Sequence, residues 1–268
     1  MHFIKLSVLV CFSLFFSSCG AHGWNQVTPD SFLPVNSFLF VNKTANISMC
    51  TEGMCINAPL RFTASAFSVG KSKHKNGSYA ITAAHVCNAD NIRDFAKMRF
   101  GKDAKVSTLF LLTTNEGKTY KAKPLTYRDD IDICLLYVEK LTDIEPVEIA
   151  RKQPNRGDRV FNIAAPAGIF SPGMIPILEG RYNGDAKQPR PCAFFSMPVV
   201  GGSSGSMILN HKGRLIGVVH SVFVRFHHIS LGVTYDDTKN FIQENIKKYE
   251  LYMEVMKELG LKDIFTPN

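Results

Sequence analysis

Short apolar or alternating runs, each closed by Gly, Asn or charged turn residues, recur along most of this chain and constrain it more than any other feature. They fall at 64–69, 79–83, 106–113, 120–125 and 133–138, and again at 159–164, 174–182, 193–197, 207–209, 215–221 and 229–234. Runs this short that alternate at period two are strands rather than helices, and their regular turns predict an all-β, antiparallel fold. One stretch departs from the pattern. Phe241, Ile242, Ile246, Tyr249, Met253 and Met256 step by three and four residues, which predicts an amphipathic C-terminal helix capped near Asp236-Asp237-Thr238. With 268 residues, 45% of them hydrophobic and 20% charged, and with no linker or repeat in the middle, the chain reads as a single globular enzyme-sized unit.

The amino terminus reads as a targeting segment. A short basic start at 1–5 precedes an apolar run at 6–16, too brief to span a bilayer in a mature protein, and Ser17-Ser18-Cys19-Gly20 follows. Small residues before a cysteine resemble the lipobox of bacterial lipoproteins, which implies cleavage ahead of Cys19 and lipid attachment to it. Phe16 stands where an aliphatic residue is usual, so conventional secretory cleavage remains the alternative. Either way 1–19 is expected to be an export signal, 20–60 an arm or spacer, 61–235 the main domain and 236–268 a helix and tail.

Apart from Cys11 and Cys19, the cysteines are Cys50, Cys55, Cys87, Cys134 and Cys192, an odd number for an oxidising compartment. Cys50 and Cys55 bracket Thr-Glu-Gly-Met and are placed to close a small loop. The strand before Cys87 offers it no partner, and Cys134, inside an apolar run, is expected to be a small buried hydrophobe. No metal-ligand spacing occurs, and adjacent His227 and His228 in a strand cannot both face one site, so no metal and no cofactor are expected.

Chemistry is concentrated in three stretches. Gly201-Gly202-Ser203-Ser204-Gly205-Ser206 sets a serine in a glycine-rich turn ahead of apolar Met207-Ile208-Leu209. A nucleophilic hydroxyl needs such a tight bend, with nearby backbone N–H groups free to bind an oxyanion, here those of Gly202 and Ser204. Ile81-Thr82-Ala83-Ala84 reads as a buried strand delivering His85, and Asp132 stands at the mouth of Ile133-Cys134-Leu135-Leu136.

These contexts, in the order His, Asp, Ser, resemble those of the chymotrypsin-like (trypsin-fold) serine peptidases over roughly residues 60 to 235. The resemblance implies two antiparallel six-stranded β-barrels, about 61–150 and 157–235, with His85 and Asp132 on the first and Ser204 on the second. His85 would be the general base and Asp132 its orienting acid, chosen over Asp129 and Asp130 because it directly precedes the strand. No Ile-Val-Gly-Gly-like activation site is present. The Ala64-Ser65-Ala66-Phe67 string and the short interval from Asp132 to Ser204 look more like the bacterial branch, which includes glutamyl endopeptidases and the HtrA protease core. His220 falls where glutamyl endopeptidases carry a histidine in the primary specificity pocket, with Pro198 at its base, which implies preference for Glu before the cut. An inactive member of the fold, acting as an envelope scaffold, is the competing reading.

A formal net charge of +8 raises the question of nucleic acid. The basic residues are scattered, and the densest cluster, Lys71 to Gly77, reads as a hairpin tip, so a protein or peptide substrate is expected and no nucleic acid. Contact with membrane is expected only through a lipid on Cys19.

Overall fold

The computed structural model describes residues 32–51, 54–223, 226 and 228–261. Cys19, the export signal and His227 lie outside the described residues.

Two closed barrels account for the strands. The first contains β1 (Phe38–Thr51), β2 (Met54–Lys71), β3 (Gly77–Thr82), β4 (Lys105–Thr114), β5 (Thr119–Arg128) and β6 (Ile133–Glu139), in the order β1-β2-β3-β6-β5-β4. The second contains β7 (Arg159–Ile163), β8 (Ile177–Ala186), β9 (Cys192–Phe195), β10 (Met207–Asn210), β11 (Leu215–Val222) and β12 (Ser230–Val233), in the order β10-β11-β12-β9-β8-β7. Closure removes the free sheet edges that would otherwise invite association. The all-β, two-barrel expectation therefore holds, with every pairing between these strands antiparallel.

The expectation of an arm over residues 20–60 fails from Phe38 onward, because β1 is a barrel strand. It pairs with β2 from Phe38↔Phe67 to Thr51↔Met54 and with β4 from Leu39↔Thr114 to Ser48↔Lys105. Leu39, Val41, Lys43, Ala45 and Ile47 are buried while Asn42 and Asn46 are exposed, a period-two pattern in which a lysine occupies one inward position. That polar interruption hides the strand from a hydrophobic reading.

Among the described residues the α-helices are α1 (Ala84–Cys87), α2 (Asp90–Phe100) and α3 (Tyr235–Glu258). The C-terminal helix begins slightly earlier than expected. Its N-cap is Thr234, whose Oγ1 accepts from Asp237 N at 3.2 Å, so Asp236 and Asp237 occupy the first turn instead, where carboxylates favour the helix dipole. Phe241, Ile242, Tyr249 and Met253 are buried in the largest core cluster together with Tyr79, Leu135 and Leu215.

Disulfide bonds join Cys50 to Cys55 and Cys87 to Cys134. The first was expected. The second corrects the reading of Cys134 as a lone hydrophobe and of Cys87 as partnerless: α1 lies against β6, which puts their Cα atoms 6.5 Å apart, within bridging range. Cys192 is free and half-buried.

Candidate active site

Strand β3 is buried along its whole length, and α1 begins two residues after it ends, so His85 is carried out of the core to the protein surface. Asp132 occupies the left-handed region at φ 57°, unusual for a residue with a side chain, directly before β6. That conformation turns its carboxylate back onto His85. Oδ2 lies 2.8 Å from His85 Nδ1, and Oδ1 accepts from the His85 backbone N–H at 2.9 Å. Burial works to raise the Asp132 pKa, but the hydrogen bonds and charge of His85 outweigh it and hold the carboxyl below its usual value. The acid therefore stays ionised, fixes the ring tautomer with the proton on Nδ1, and leaves Nε2 free to accept. The Cys87–Cys134 bridge ties the two segments together, two residues beyond His85 and two beyond Asp132.

Ser204 follows a turn whose shape depends on glycine. Gly202 has φ 96°, and a Cβ there would lie 2.3 Å from the Ala165 carbonyl oxygen; Gly205 has φ 82°, and a Cβ there would meet Thr82 Oγ1 at 2.2 Å. Neither position tolerates a side chain. Ser65 of β2 braces the turn across the barrels. Its N–H donates to the Ser204 carbonyl at 2.9 Å, its hydroxyl donates to the Gly202 carbonyl at 2.9 Å, and that hydroxyl accepts from Ala165 N at 3.0 Å. Below the turn, Asn162 Nδ2 donates to Ser206 Oγ and to the Met207 carbonyl, each at 2.8 Å. The Gly202 and Ser204 N–H groups, by contrast, have no acceptor among the described residues.

Ser204, Gly201, Gly202 and His85 line one cleft pocket of about 370 Å³ together with Phe62, Thr63, Ala64, Asn91 and Lys43. No hydrogen bond joins Ser204 Oγ to His85 among the described residues; such contacts commonly tighten only when substrate is bound. Asp129 and Asp130 serve elsewhere, Asp129 accepting from Asn88 Nδ2 at 3.3 Å and Asp130 pairing with Arg128. Ser203 is buried, with its hydroxyl unpartnered among the described residues, and Ser206 is held by Asn162.

His220 lies on the Asp132 side. It lines a second depression with Asp130, Asp132, Arg190, Phe194 and Leu231, and its Nδ1 is 2.9 Å from Ser221 Oγ. Burial pushes its pKa down, opposed by the charge of Asp132. Pro198 is exposed and is absent from the lining of both depressions. Two residues missed from sequence belong to this region: Ser65, hidden in an ordinary strand string, and Lys43, hidden in a segment read as an arm.

Comparison with solved structures gives the same fold at low identity. The HtrA-type protease AlgW with a decapeptide superposes with a TM-score of 0.62 at 14% identity, over 81% of this chain and 65% of that one. A serine endoprotease from Yersinia pestis gives 0.55 at 16% identity, over 81% and 65% respectively. Rv3671c from M. tuberculosis, in an inactive mutant form, gives 0.53 at 15% identity, over 79% and 87%. The chain thus spans just under two thirds of the HtrA-type structures it matches. No curated protein matches the sequence. The trypsin-like peptidase domain signature, however, matches residues 64–218, which contain His85, Asp132 and Ser204, and by that match the chain belongs to the trypsin-like peptidase domain family.

Proposed function

We propose that this chain is an exported serine endopeptidase that cuts peptide bonds through an acyl-enzyme. Ser204 is the nucleophile, His85 the base that later protonates the leaving amine, and Asp132 the residue that orients His85 and stabilises its cation. The observation that carries the reading is the His85–Asp132 pair at 2.8 Å, opening onto the same pocket as Ser204 and two unpaired N–H groups. As carbonyl carbon becomes tetrahedral, the Gly202 and Ser204 N–H groups receive the developing oxyanion, a contact that strengthens only as charge forms. Neither step requires a metal or cofactor.

A fluorophosphonate probe tests this directly. Wild-type protein should label at Ser204 and hydrolyse peptides, whereas Ser204→Ala and His85→Ala should lose about four to six orders of magnitude in rate with the fold intact. Asp132→Asn should be nearly as damaging, and Ser203→Ala and Ser206→Ala should keep labelling. An unlabelled but folded wild type would favour the inactive scaffold; wild-type turnover by Ser204→Ala would refute the assignment.

Preference for Glu before the cut is proposed with a modified basis. With its pKa lowered by burial, His220 would act as a neutral donor near neutral pH, and Arg190 in the same depression would supply charge. Library profiling dominated by cleavage after Lys, Arg or large apolar residues would sink it. Export is proposed from residues 1–19, and the Cys50–Cys55 and Cys87–Cys134 bridges support an oxidising destination. If Cys19 carries lipid, the protein should partition into detergent and Cys19→Ser should release it or block processing; soluble protein starting beyond Cys19 would establish conventional secretion.

A further inference from the structure

Lys43 is the one inward position of β1 filled by a charge. It is 4% exposed, with its Nζ 5.5 Å from the centroid of the Phe110 ring and donating to the Asn88 carbonyl at 2.9 Å. Among the described residues it has no carboxylate partner. A cation acts against it: Arg93 on α2, itself paired with Asp90. A lysine that is buried, unpaired and repelled by a neighbour opposes folding, and a core leucine or methionine would fill the same place without that cost.

Its location gives the charge a use. Lys43 lines the pocket that holds Ser204 and His85, together with Phe62 to Ala64 of β2 and with Val86, Asn88, Asn91 and Ile92. The proton for the leaving amine comes from His85, so the part of a substrate beyond the cut must lie over His85 and into this pocket, away from the depression that contains His220 and Arg190. We propose that Lys43 is a specificity determinant on the leaving-group side, recognising a carboxylate side chain at the first or second residue beyond the scissile bond. The inference rests on the peptidase reading for its orientation, though not for the existence of a carboxylate site.

An acidic side chain entering the pocket would supply the counter-charge that the folded protein lacks, in a setting where water is partly excluded and a charge-assisted hydrogen bond is worth more than at a surface. A glutamine of equal shape would accept one hydrogen bond without neutralising the charge. Discrimination between acid and amide is therefore the signature to measure.

Two matched sets of internally quenched peptides, identical on the acyl side, would carry Glu or Gln at the first or second position after the cut. Wild type should show a kcat/KM about tenfold or more higher for Glu at one of these positions, equivalent to about 1.4 kcal/mol. Lys43→Met should bring the ratio close to one, and Lys43→Arg should preserve part of it. Equal rates in the wild type at both positions would overturn the proposal without recourse to any variant. Equilibrium binding of the same peptides to Ser204→Ala separates the two readings. Acid preference in binding, with no fluorophosphonate labelling of the wild type, would discard the peptidase and keep the carboxylate site; labelling with equal binding of Glu and Gln peptides would do the reverse.

Discussion

Replacing Lys43 with Met should stabilise the protein near neutral pH, and the size of the gain can be worked out from the burial of the ammonium. Desolvation, helped by the charge of Arg93, lowers the Lys43 pKa from 10.5 to about 8. At about 1.4 kcal/mol per pH unit, holding the proton in the folded state costs about 3 kcal/mol. Lys43 lines a pocket open to solvent, and screening there discounts the cost to about 2 kcal/mol. Methionine fills most of the stem volume but strands the Asn88 carbonyl, which gives back about 1 kcal/mol. The net expectation is a gain of about 1 kcal/mol at pH 7. Because the folded pKa is the lower one, the unfolded chain holds more protons between pH 8 and 10.5, and the wild type recovers stability as pH rises through that window. The advantage of the variant should therefore shrink steadily above about pH 8, by the same linkage. Urea unfolding of both proteins at about pH 7 and about pH 9.5 measures the difference directly, with other titrating groups cancelling in the comparison. A variant less stable than wild type at both pH values, by the same amount, would show that Lys43 is not a strained charge.

Gly202→Ala should abolish labelling by the fluorophosphonate and destabilise the fold, because a Cβ 2.3 Å from the Ala165 carbonyl forces the turn apart; normal labelling would refute the glycine argument. Removing the Cys87–Cys134 bridge, which closes a separation of 47 residues, should cost about 2–4 kcal/mol in stability. It should also lower kcat more than KM, since it frees both halves of the His85–Asp132 pair; unchanged kcat would show that the hydrogen bonds suffice. Glu250→Ala on α3 should cost about 2–3 kcal/mol, because Glu250 accepts from buried Tyr79, from Ser72 Oγ at 3.0 Å and from Lys73 N at 3.1 Å. Thermal unfolding would check it, and a neutral effect would mean that the helix is held by its apolar face alone.

The strands that sequence reveals are those buried on both faces or cleanly alternating. β3 and β6 are of this kind: β6 directly follows Asp132, and β3 ends at Thr82, shortly before His85. β1 is hidden because Asn42, Lys43 and Thr44 interrupt its apolar run, and only the pairing with β2 and β4 makes it a barrel strand. Helix α2 buries only Ala96 and leaves Phe95 and Met98 exposed, so its apolar residues do not mark a core face. The Cys87–Cys134 pairing depends on α1 packing against β6, a tertiary fact that spacing along the chain does not encode. His85, Asp132 and Ser204 were legible because each needs a local context, a strand end or a glycine turn. The surroundings that shape substrate choice carry no such local signature: Pro198 and His220 occupy suggestive string positions, yet only the fold decides which depression a side chain enters.

Strand β2 links the parts of the site that sequence leaves separate. Its Phe62-Thr63-Ala64 segment is the wall of the pocket beyond His85, and the next residue, Ser65, holds the nucleophile turn through Gly202, Ser204 and Ala165. Thr82 Oγ1 at the end of β3 donates to the Ser65 carbonyl at 2.8 Å, so the same residue is anchored from the side that delivers His85. All backbone and hydroxyl groups of Ser65 are thereby committed to positioning, and it is fully buried at the seam between barrels. Under the peptidase reading, the residues that would meet a substrate beyond the cut and the residue that fixes the Ser204 turn are thus neighbours on one strand.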